Sequence, residues 1–256
     1  MGIPSTQTIA FWIKETLTSE QWILLQTACN EALQVKLPDY GESSIAELVE
    51  DRLRHVAEAL RNEASEFQED GNIASFEIDN EESPYIRLTG KNFSHLLDRI
   101  RAADPFLVEE LCAKILNELG ATAYATQKTN DGGVDFIGLK LKIVPAAFGL
   151  PTACMAAVIG QTKRHKQSNI ITETQLREFV GAATLKCHEM RKEGKIGPLS
   201  PVVFAFWTTS DFDGSAKKYA RSIGLWYMGG HTLAHYVENL GLQGHLDNEG
   251  EDDGPE

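Results

Sequence analysis

The order of helix and strand patterns after residue 103 is the feature that most constrains the fold of this chain. Asp104 and Pro105 open an apolar helical pattern, because Asp accepts hydrogen bonds from free first-turn amides and Pro fits the first helical position. Gly120 is the matching stop. Strand-like runs at 123–126, 134–143, 155–161, 202–208 and 225–228 are interspersed with helical patterns at 174–192, 215–222 and 233–240. This order predicts an α/β domain with a mixed central sheet flanked by helices.

The first hundred residues have a different pattern. Apolar residues recur at three- and four-residue spacing through 43–68, and a similar stripe that includes Trp22 runs through 19–33, so both segments are expected to be helical. Short alternating runs at 73–78 and 84–88 predict a hairpin. The predicted organisation is therefore a mainly helical N-terminal domain at 1–90, an α/β domain at 91–240 and an acidic, disordered tail at 241–256.

Composition excludes several classes of protein. With 42% hydrophobic and 24% charged residues, the chain has the proportions of a globular protein. No apolar run approaches the roughly 18 residues that span a bilayer, and no basic segment precedes an apolar block at the start. The 4 cysteines form no CxxC pair. We therefore expect a cytoplasmic protein with reduced thiols and no membrane association.

The net charge of −13 is unevenly distributed. Residues 1–100 hold 8 basic and 18 acidic side chains, residues 101–238 hold 16 and 13, and residues 239–256 hold 0 and 6. Phosphate contacts from basic side chains supply most of the non-specific affinity for DNA. A nucleic acid is therefore expected to meet the second half of the chain, and the acidic first hundred residues favour dimerisation, regulation or binding of a protein partner over recognition of a duplex.

One polar group of residues stands where a strand core is expected. Residues Asp131-Gly132-Gly133-Val134-Asp135 begin an apolar strand, and the next strand ends in Gln161-Thr162-Lys163. Gln161 and Lys163 share a face because strand side chains alternate, and such groups are costly there unless they face a ligand or each other. Carboxylate and amide oxygens suit Mg²⁺, and a nearby lysine stabilises charge that develops on phosphorus. This combination predicts hydrolysis of a phosphodiester, whereas sequences for a phosphate loop, GxGxxG, HExxH and GxSxG are absent.

The residues from Asp104 to Leu240 resemble the catalytic domain of the Mrr family of restriction endonucleases, within the PD-(D/E)xK nuclease superfamily. The resemblance is carried by a series in the family's order: Asp131-Gly132-Gly133-Val134-Asp135, Gln161-Thr162-Lys163, Arg177-Glu178-Phe179-Val180-Gly181-Ala182, Phe206-Trp207-Thr208-Thr209-Ser210 with Phe212, and Gly229-Gly230-His231-Thr232-Leu233. The resemblance implies a restriction-endonuclease-like fold for this half of the chain.

The resemblance also implies roles for individual residues. Asp135 corresponds to the metal-binding aspartate, Gln161 to the glutamine that replaces the usual second acidic ligand, and Lys163 to the catalytic lysine. An acidic residue early in the preceding helix completes the family's site and aligns with Glu109, with Glu110 as the alternative one residue on. Helix geometry turns these two side chains about 100° apart, so only one can face the sheet. The implied cofactor is Mg²⁺, with Mn²⁺ as a substitute, held by Asp135, Gln161 and Glu109.

The function that the resemblance implies is a metal-dependent DNA endonuclease in the restriction of foreign or modified DNA or in another form of phage defence. A double-strand cut needs two active sites, so a homodimer or larger homo-oligomer is expected. Two alternatives stay open: a non-catalytic DNA-binding or assembly component with a nuclease fold, and a nuclease of repair or recombination.

Overall fold

The computed structural model describes residues 3–69, 76–89, 93–126, 133–142, 155–165 and 169–247. The chain divides into two compact units, Met1–His95 and Leu96–Glu256. The predicted three-part organisation with boundaries at 90 and 240 stays a prediction, and residues 248–256 of the predicted tail lie outside the described residues. Across the described residues, no helix is both long enough and apolar enough to cross a membrane.

The first unit combines helices with a three-stranded antiparallel sheet in the order β1-β3-β2. The predicted hairpin is present, since Ile78 of β2 pairs with Ile86 of β3, and the predicted helix at 43–68 is confirmed as α3. The elements are α1 (Thr6–Thr16), β1 (Ile23–Leu24), α2 (Leu25–Lys36), α3 (Glu42–Glu69), β2 (Phe76–Ile78) and β3 (Tyr85–Leu88).

The predicted start of a helix at residue 19 is wrong. Trp22 lies before β1 with 43% of its surface exposed, and the Arg87 guanidinium stacks on its ring at 4.8 Å. Ile23 and Leu24 pair with β3 instead of continuing the helical stripe. Strand pairing thus outweighs the apolar spacing in this segment, and α2 begins at Leu25.

The second unit contains a five-stranded sheet in the order β4-β5-β6-β7-β8. The β4–β5 and β5–β6 pairs are antiparallel, whereas the β6–β7 and β7–β8 pairs are parallel, which confirms the predicted mixed sheet. From residue 94 onward, the elements are α4 (Ser94–Ala102), α5 (Pro105–Glu118), β4 (Thr122–Ala125), β5 (Phe136–Leu141), β6 (Ala156–Lys163), α6 (Glu173–Lys192), β7 (Val202–Thr208), α7 (Gly214–Ile223), β8 (Trp226–Met228), α8 (Gly230–Asn239) and a final 3₁₀ turn, Gln243–Leu246.

The start and stop of α5 follow the predicted chemistry. The Asp104 carboxylate accepts a hydrogen bond from the Phe106 amide at 2.8 Å, with Pro105 as the first helical residue. Gly120 has a φ of 90°, a left-handed backbone that favours glycine. The helix is therefore fixed at both ends by local sequence.

Helices cover both faces of the sheet. Ile159 and Phe206 pack in one apolar cluster with Phe179 of α6, while α5 lies over β4 and β5. Gly138 of β5 allows this close approach, because a Cβ there would lie 2.9 Å from Leu116 Cδ1 of α5. The polar residues Asp135, Gln161 and Lys163 lie at neighbouring ends of β5 and β6.

Candidate active site

Asp135 is fixed to β6 by hydrogen bonds from both its backbone and its side chain. Its amide donates to the Gly160 carbonyl at 2.8 Å, and its carbonyl accepts from the Thr126 amide at 2.9 Å. Its carboxylate Oδ2 accepts from the Thr162 amide at 2.8 Å. The carboxylate therefore lies beside the backbone unit between Gln161 and Lys163.

Gln161 and Lys163 lie in the last three paired positions of β6 with β7. Gln161 pairs with Phe206, and Lys163 pairs with Thr208. Residues two apart on a strand project to the same face. Gln161 is 7% exposed and Lys163 is half-buried, so both side chains lie within the folded unit rather than on a free loop.

Gly133 gives the Gln161 amide its space. The backbone of Gly133 has a φ of 91°, and a Cβ at this position would lie 2.9 Å from Gln161 Nε2. The glycine before Val134 and Asp135 thus serves both an unusual backbone conformation and a close contact with the β6 side chain. Asp131 and Gly132, the first two residues of the sequence that suggested a site, lie outside the described residues.

Cys112 of α5 lies near the corner of the sheet, by which we mean the end where Asp135, Gln161 and Lys163 lie. Its burial raises the pKa of the thiol to about 12, the Thr162 side chain lowers the pKa, and the charges of Asp135 and Glu109 raise it. The Thr162 hydroxyl makes no hydrogen bond of regular geometry among the described residues, so we interpret its effect as a close contact. The thiol of α5 is therefore near enough to both carboxylates for their charges to raise its pKa.

Glu109 and Glu110 differ in their position around α5. The fully buried side of the helix is formed by Val108, Leu111 and Cys112. At about 100° per residue, Glu109 lies on the flank of that side and Glu110 lies opposite it. The helix geometry therefore favours Glu109 over Glu110 as the acidic residue near Asp135.

His165 and Arg164 define the surroundings of Lys163 after the strand. Burial lowers the pKa of His165, and the charge of Lys163 lowers it further, so the imidazole is neutral at pH 7. The Arg164 guanidinium donates to the carbonyls of Arg101 at 3.1 Å and Ala103 at 2.8 Å. Among the described residues, the Lys163 side chain makes no such bond to these carbonyls. Lys166, the last residue of the sequence Lys163-Arg164-His165-Lys166, lies outside the described residues.

The remaining parts of the sequence series support the scaffold. Gly230 packs against the turn after β7, because its amide donates to the Ser210 carbonyl at 2.7 Å and a Cβ on it would lie 2.6 Å from the Thr209 carbonyl oxygen. The Arg177 guanidinium stacks on Tyr219 of α7 at 4.2 Å. Gly230 and Arg177 therefore help to pack helices of the second unit, and we assign them no role in the candidate site.

The residues at this corner fit a divalent cation. Among the described residues, no group of three or more His, Cys, Asp or Glu side chains could hold a metal ion. The side chains near this corner that carry oxygen donors are Asp135, whose carboxylate accepts from the Thr162 amide, Gln161 beside Gly133, and Glu109, whose charge acts on Cys112. Mg²⁺ takes one or two protein carboxylates and completes its shell with water and substrate phosphates, so this oxygen-rich set suits it.

A five-stranded mixed sheet flanked by helices is the architecture that the sequence predicted for a restriction-endonuclease-like domain. The family model Mrr_cat, described as a restriction endonuclease, matches residues 100–237. The chain belongs to this family, which confirms the resemblance and the fold class predicted from the sequence.

Two solved structures are also similar to the chain. One is the MspJI restriction endonuclease in complex with a 27-mer oligonucleotide, with 20% identity and a TM-score of 0.43 over 62% of this chain and 34% of that chain. The other is the DNA modification-dependent restriction endonuclease AspBHI, with 19% identity and a TM-score of 0.40 over 60% of this chain and 38% of that chain. The chain therefore spans little more than a third of the length of these two proteins. No curated protein matches the chain.

Proposed function

We propose that the second unit is a metal-dependent DNA endonuclease that acts in restriction of foreign or modified DNA, including DNA of infecting phage. The observation that carries this proposal is the hydrogen bond from the Thr162 amide to the Asp135 carboxylate. It joins the aspartate to the strand segment that bears Gln161 and Lys163. Membership of a restriction endonuclease family supports DNA as the substrate.

In this proposal, Asp135, Gln161 and Glu109 hold Mg²⁺, and Mn²⁺ substitutes for it. Such an ion, when bound, offsets charge on the scissile phosphate and lowers the pKa of a water molecule. Lys163 stabilises the negative charge that develops on the phosphoryl oxygens. Gln161 is neutral where a second carboxylate is usual, so the protein alone contributes less charge to ion binding and the DNA phosphate contributes more.

Nicking of supercoiled plasmid with Mg²⁺, Mn²⁺ or EDTA tests the proposal. Lys163→Ala and Asp135→Ala should each lower the cleavage rate by at least about a hundredfold and still unfold cooperatively. Asp135→Ala should also lose about 1–3 kcal/mol of stability, because the Thr162 amide loses its acceptor. Lys192→Ala, an exposed lysine at the end of α6, is the matched control and should cleave normally. Undiminished cleavage by both site variants would remove the assignment. Metal-independent DNA binding without cleavage by the wild type would favour a non-catalytic component.

The substrate and the assembly need separate measurements. Equal cleavage of unmodified and methylated plasmid would argue against dependence on modified bases, and preference for branched or single-stranded DNA would favour a repair nuclease.

We propose a homodimer or larger homo-oligomer, because two strands must be cut. Sedimentation of the full chain with and without a duplex tests this. A monomer in both conditions would contradict it.

The first unit is proposed to serve dimerisation, regulation or a protein partner. Residues 1–100 hold 8 basic and 18 acidic side chains, a balance that opposes binding to phosphates. Restriction acts on DNA inside the cell, so the proposal places the protein in the cytoplasm. Reversal of several acidic residues in the first unit should leave duplex affinity unchanged or raise it, and a large fall in affinity would contradict this role.

A further inference from the structure

The backbone that carries Lys163 is held from outside its own strand. Thr209, a fully buried residue in the turn after β7, donates its amide to the Lys163 carbonyl at 3.1 Å. Its hydroxyl accepts from the His165 amide at 3.0 Å and donates to the His165 carbonyl at 3.1 Å. Thr209 therefore fixes the chain on both sides of Arg164, immediately after the end of β6.

Arg101 holds Thr209 in turn. Its guanidinium donates to the Thr209 carbonyl from Nε at 3.0 Å and from Nη2 at 2.9 Å. The Arg101 side chain is only 8% exposed and also pairs with Asp98 at 3.2 Å. A buried guanidinium is costly unless its donors are used, and here two of them converge on one carbonyl.

The hydrogen bonds close into a ring. Arg101 binds Thr209 and Thr209 binds Lys163 and His165, while the Arg164 side chain returns to the carbonyls of Arg101 and Ala103. Those two carbonyls lie at the end of α4, where helical carbonyls lack partners within the helix. We name this ring the lysine clasp, formed by Arg101, Thr209 and the segment Lys163–His165.

We infer that Arg101 and Thr209 are positioning residues for Lys163. The inference rests on the proposed function of Lys163. Each of their hydrogen bonds to one another and to the Lys163–His165 segment has a backbone amide or carbonyl on at least one side. Their effect on the reaction therefore passes through the position of the backbone that carries the lysine. A misplacement of about 1 Å at a reacting group lowers a rate by about a hundredfold. The clasp therefore controls the rate of the chemical step rather than affinity for DNA.

Thr209→Val tests the inference, because valine keeps the shape of threonine but removes both hydrogen bonds of the hydroxyl. Single-turnover cleavage should slow by about ten- to a hundredfold, while the Kd for duplex DNA in EDTA stays unchanged. Thr209→Ser should restore the rate, since it restores the hydroxyl. Thr184→Val, which removes a hydroxyl that donates to the Val180 carbonyl within α6 at 2.7 Å, is the matched control.

Arg101 and amide exchange provide independent measurements. Arg101→Lys keeps the charge but not the forked donors, and should also slow cleavage. Hydrogen exchange in a peptide that covers Gln161–His165 should rise in Thr209→Val without loss of cooperative melting. Normal single-turnover rates in Thr209→Val and Arg101→Lys, with Lys163→Ala inactive, would overturn the clasp alone. Full activity of Lys163→Ala would overturn the proposed function and the clasp with it.

Discussion

Alanine substitution of Gly133 and, separately, of Gly120 distinguishes two effects on cleavage: the strain of a left-handed backbone and the displacement of the Gln161 side chain. Gly133 and Gly120 have φ angles of 91° and 90°. A Cβ on Gly133 would lie 2.9 Å from Gln161 Nε2, whereas a Cβ on Gly120 would meet nothing within 4 Å. Gly120→Ala is therefore a matched control that imposes a similar backbone cost without the contact.

The structure gives the magnitude of each effect. A left-handed backbone costs a residue with a Cβ roughly 1–2 kcal/mol, so both variants should lose a similar amount of stability. Non-bonded heavy atoms prefer separations of about 3.5–4.0 Å, so Gly133→Ala must move the Gln161 amide by several tenths of an ångström to about 1 Å. Displacements of about 1 Å at a reacting group cost about a hundredfold in rate. We expect Gly133→Ala to cleave at least about tenfold more slowly than Gly120→Ala.

The assay is single-turnover nicking at saturating Mg²⁺, with thermal unfolding measured on the same preparations. Equal melting temperatures with unequal cleavage rates are the expected result. Equal cleavage by the two variants, at or near the wild-type rate, would refute the argument that the Gln161 amide must stay beside Gly133. A rescue by high metal concentration in Gly133→Ala would further support Gln161 as a metal ligand.

Two predictions concern stability. Gly160→Ala places a Cβ 2.1 Å from Phe136 Cζ, and this ring is fully buried against Trp207 with centroids 4.8 Å apart; overpacking should cost about 1–3 kcal/mol, and a melting temperature equal to that of the wild type would contradict it. Gly181→Ala, in α6 with open space around the new Cβ, is the control and should stabilise by up to about 1 kcal/mol. Burial raises the pKa of Cys29 and of Cys112 to about 12 from an ordinary 9.0, so the unfolded thiols ionise first and stability should fall as pH rises from 9 towards 12. The slope is about 1.4 kcal/mol per pH unit per thiol at most; urea unfolding of the wild type and of Cys112→Ala should therefore converge at alkaline pH, and parallel curves would contradict the burial effect.

The elements that could be predicted from sequence are those with local causes. The Asp104 cap, Pro105 and Gly120 define α5 through interactions within a few residues, and the nearly continuous apolar runs of β6 and β7 reflect burial on both faces. The helix predicted from residue 19 begins at Leu25 instead, because Ile23 and Leu24 pair with a strand more than sixty residues away. The local sequence contains no information about a pairing partner so distant.

The candidate site shows the same division. The identities of Asp135, Gln161 and Lys163 were readable because polar residues at the ends of apolar strands are unusual. The resemblance already preferred Glu109 to Glu110, and the buried side of α5 adds a geometric reason for that preference. The close contact of Gly133 with Gln161 involves a side chain from the next strand and could not be predicted from the sequence. Arg101 had no signal in the sequence, since its hydrogen bonds reach the Thr209 carbonyl 108 residues along the chain.

The bond between the Asp135 carboxylate and the Thr162 amide has a genetic consequence. Every residue except proline offers the same amide, so many substitutions at position 162 leave that bond available. Removal of a single codon between positions 156 and 160 would shift the strand by one residue and reverse the direction of every side chain after it. Under the proposed function, cleavage should therefore tolerate replacement of the buried Thr162 by residues of similar size, such as serine or valine, better than in-frame deletions just upstream.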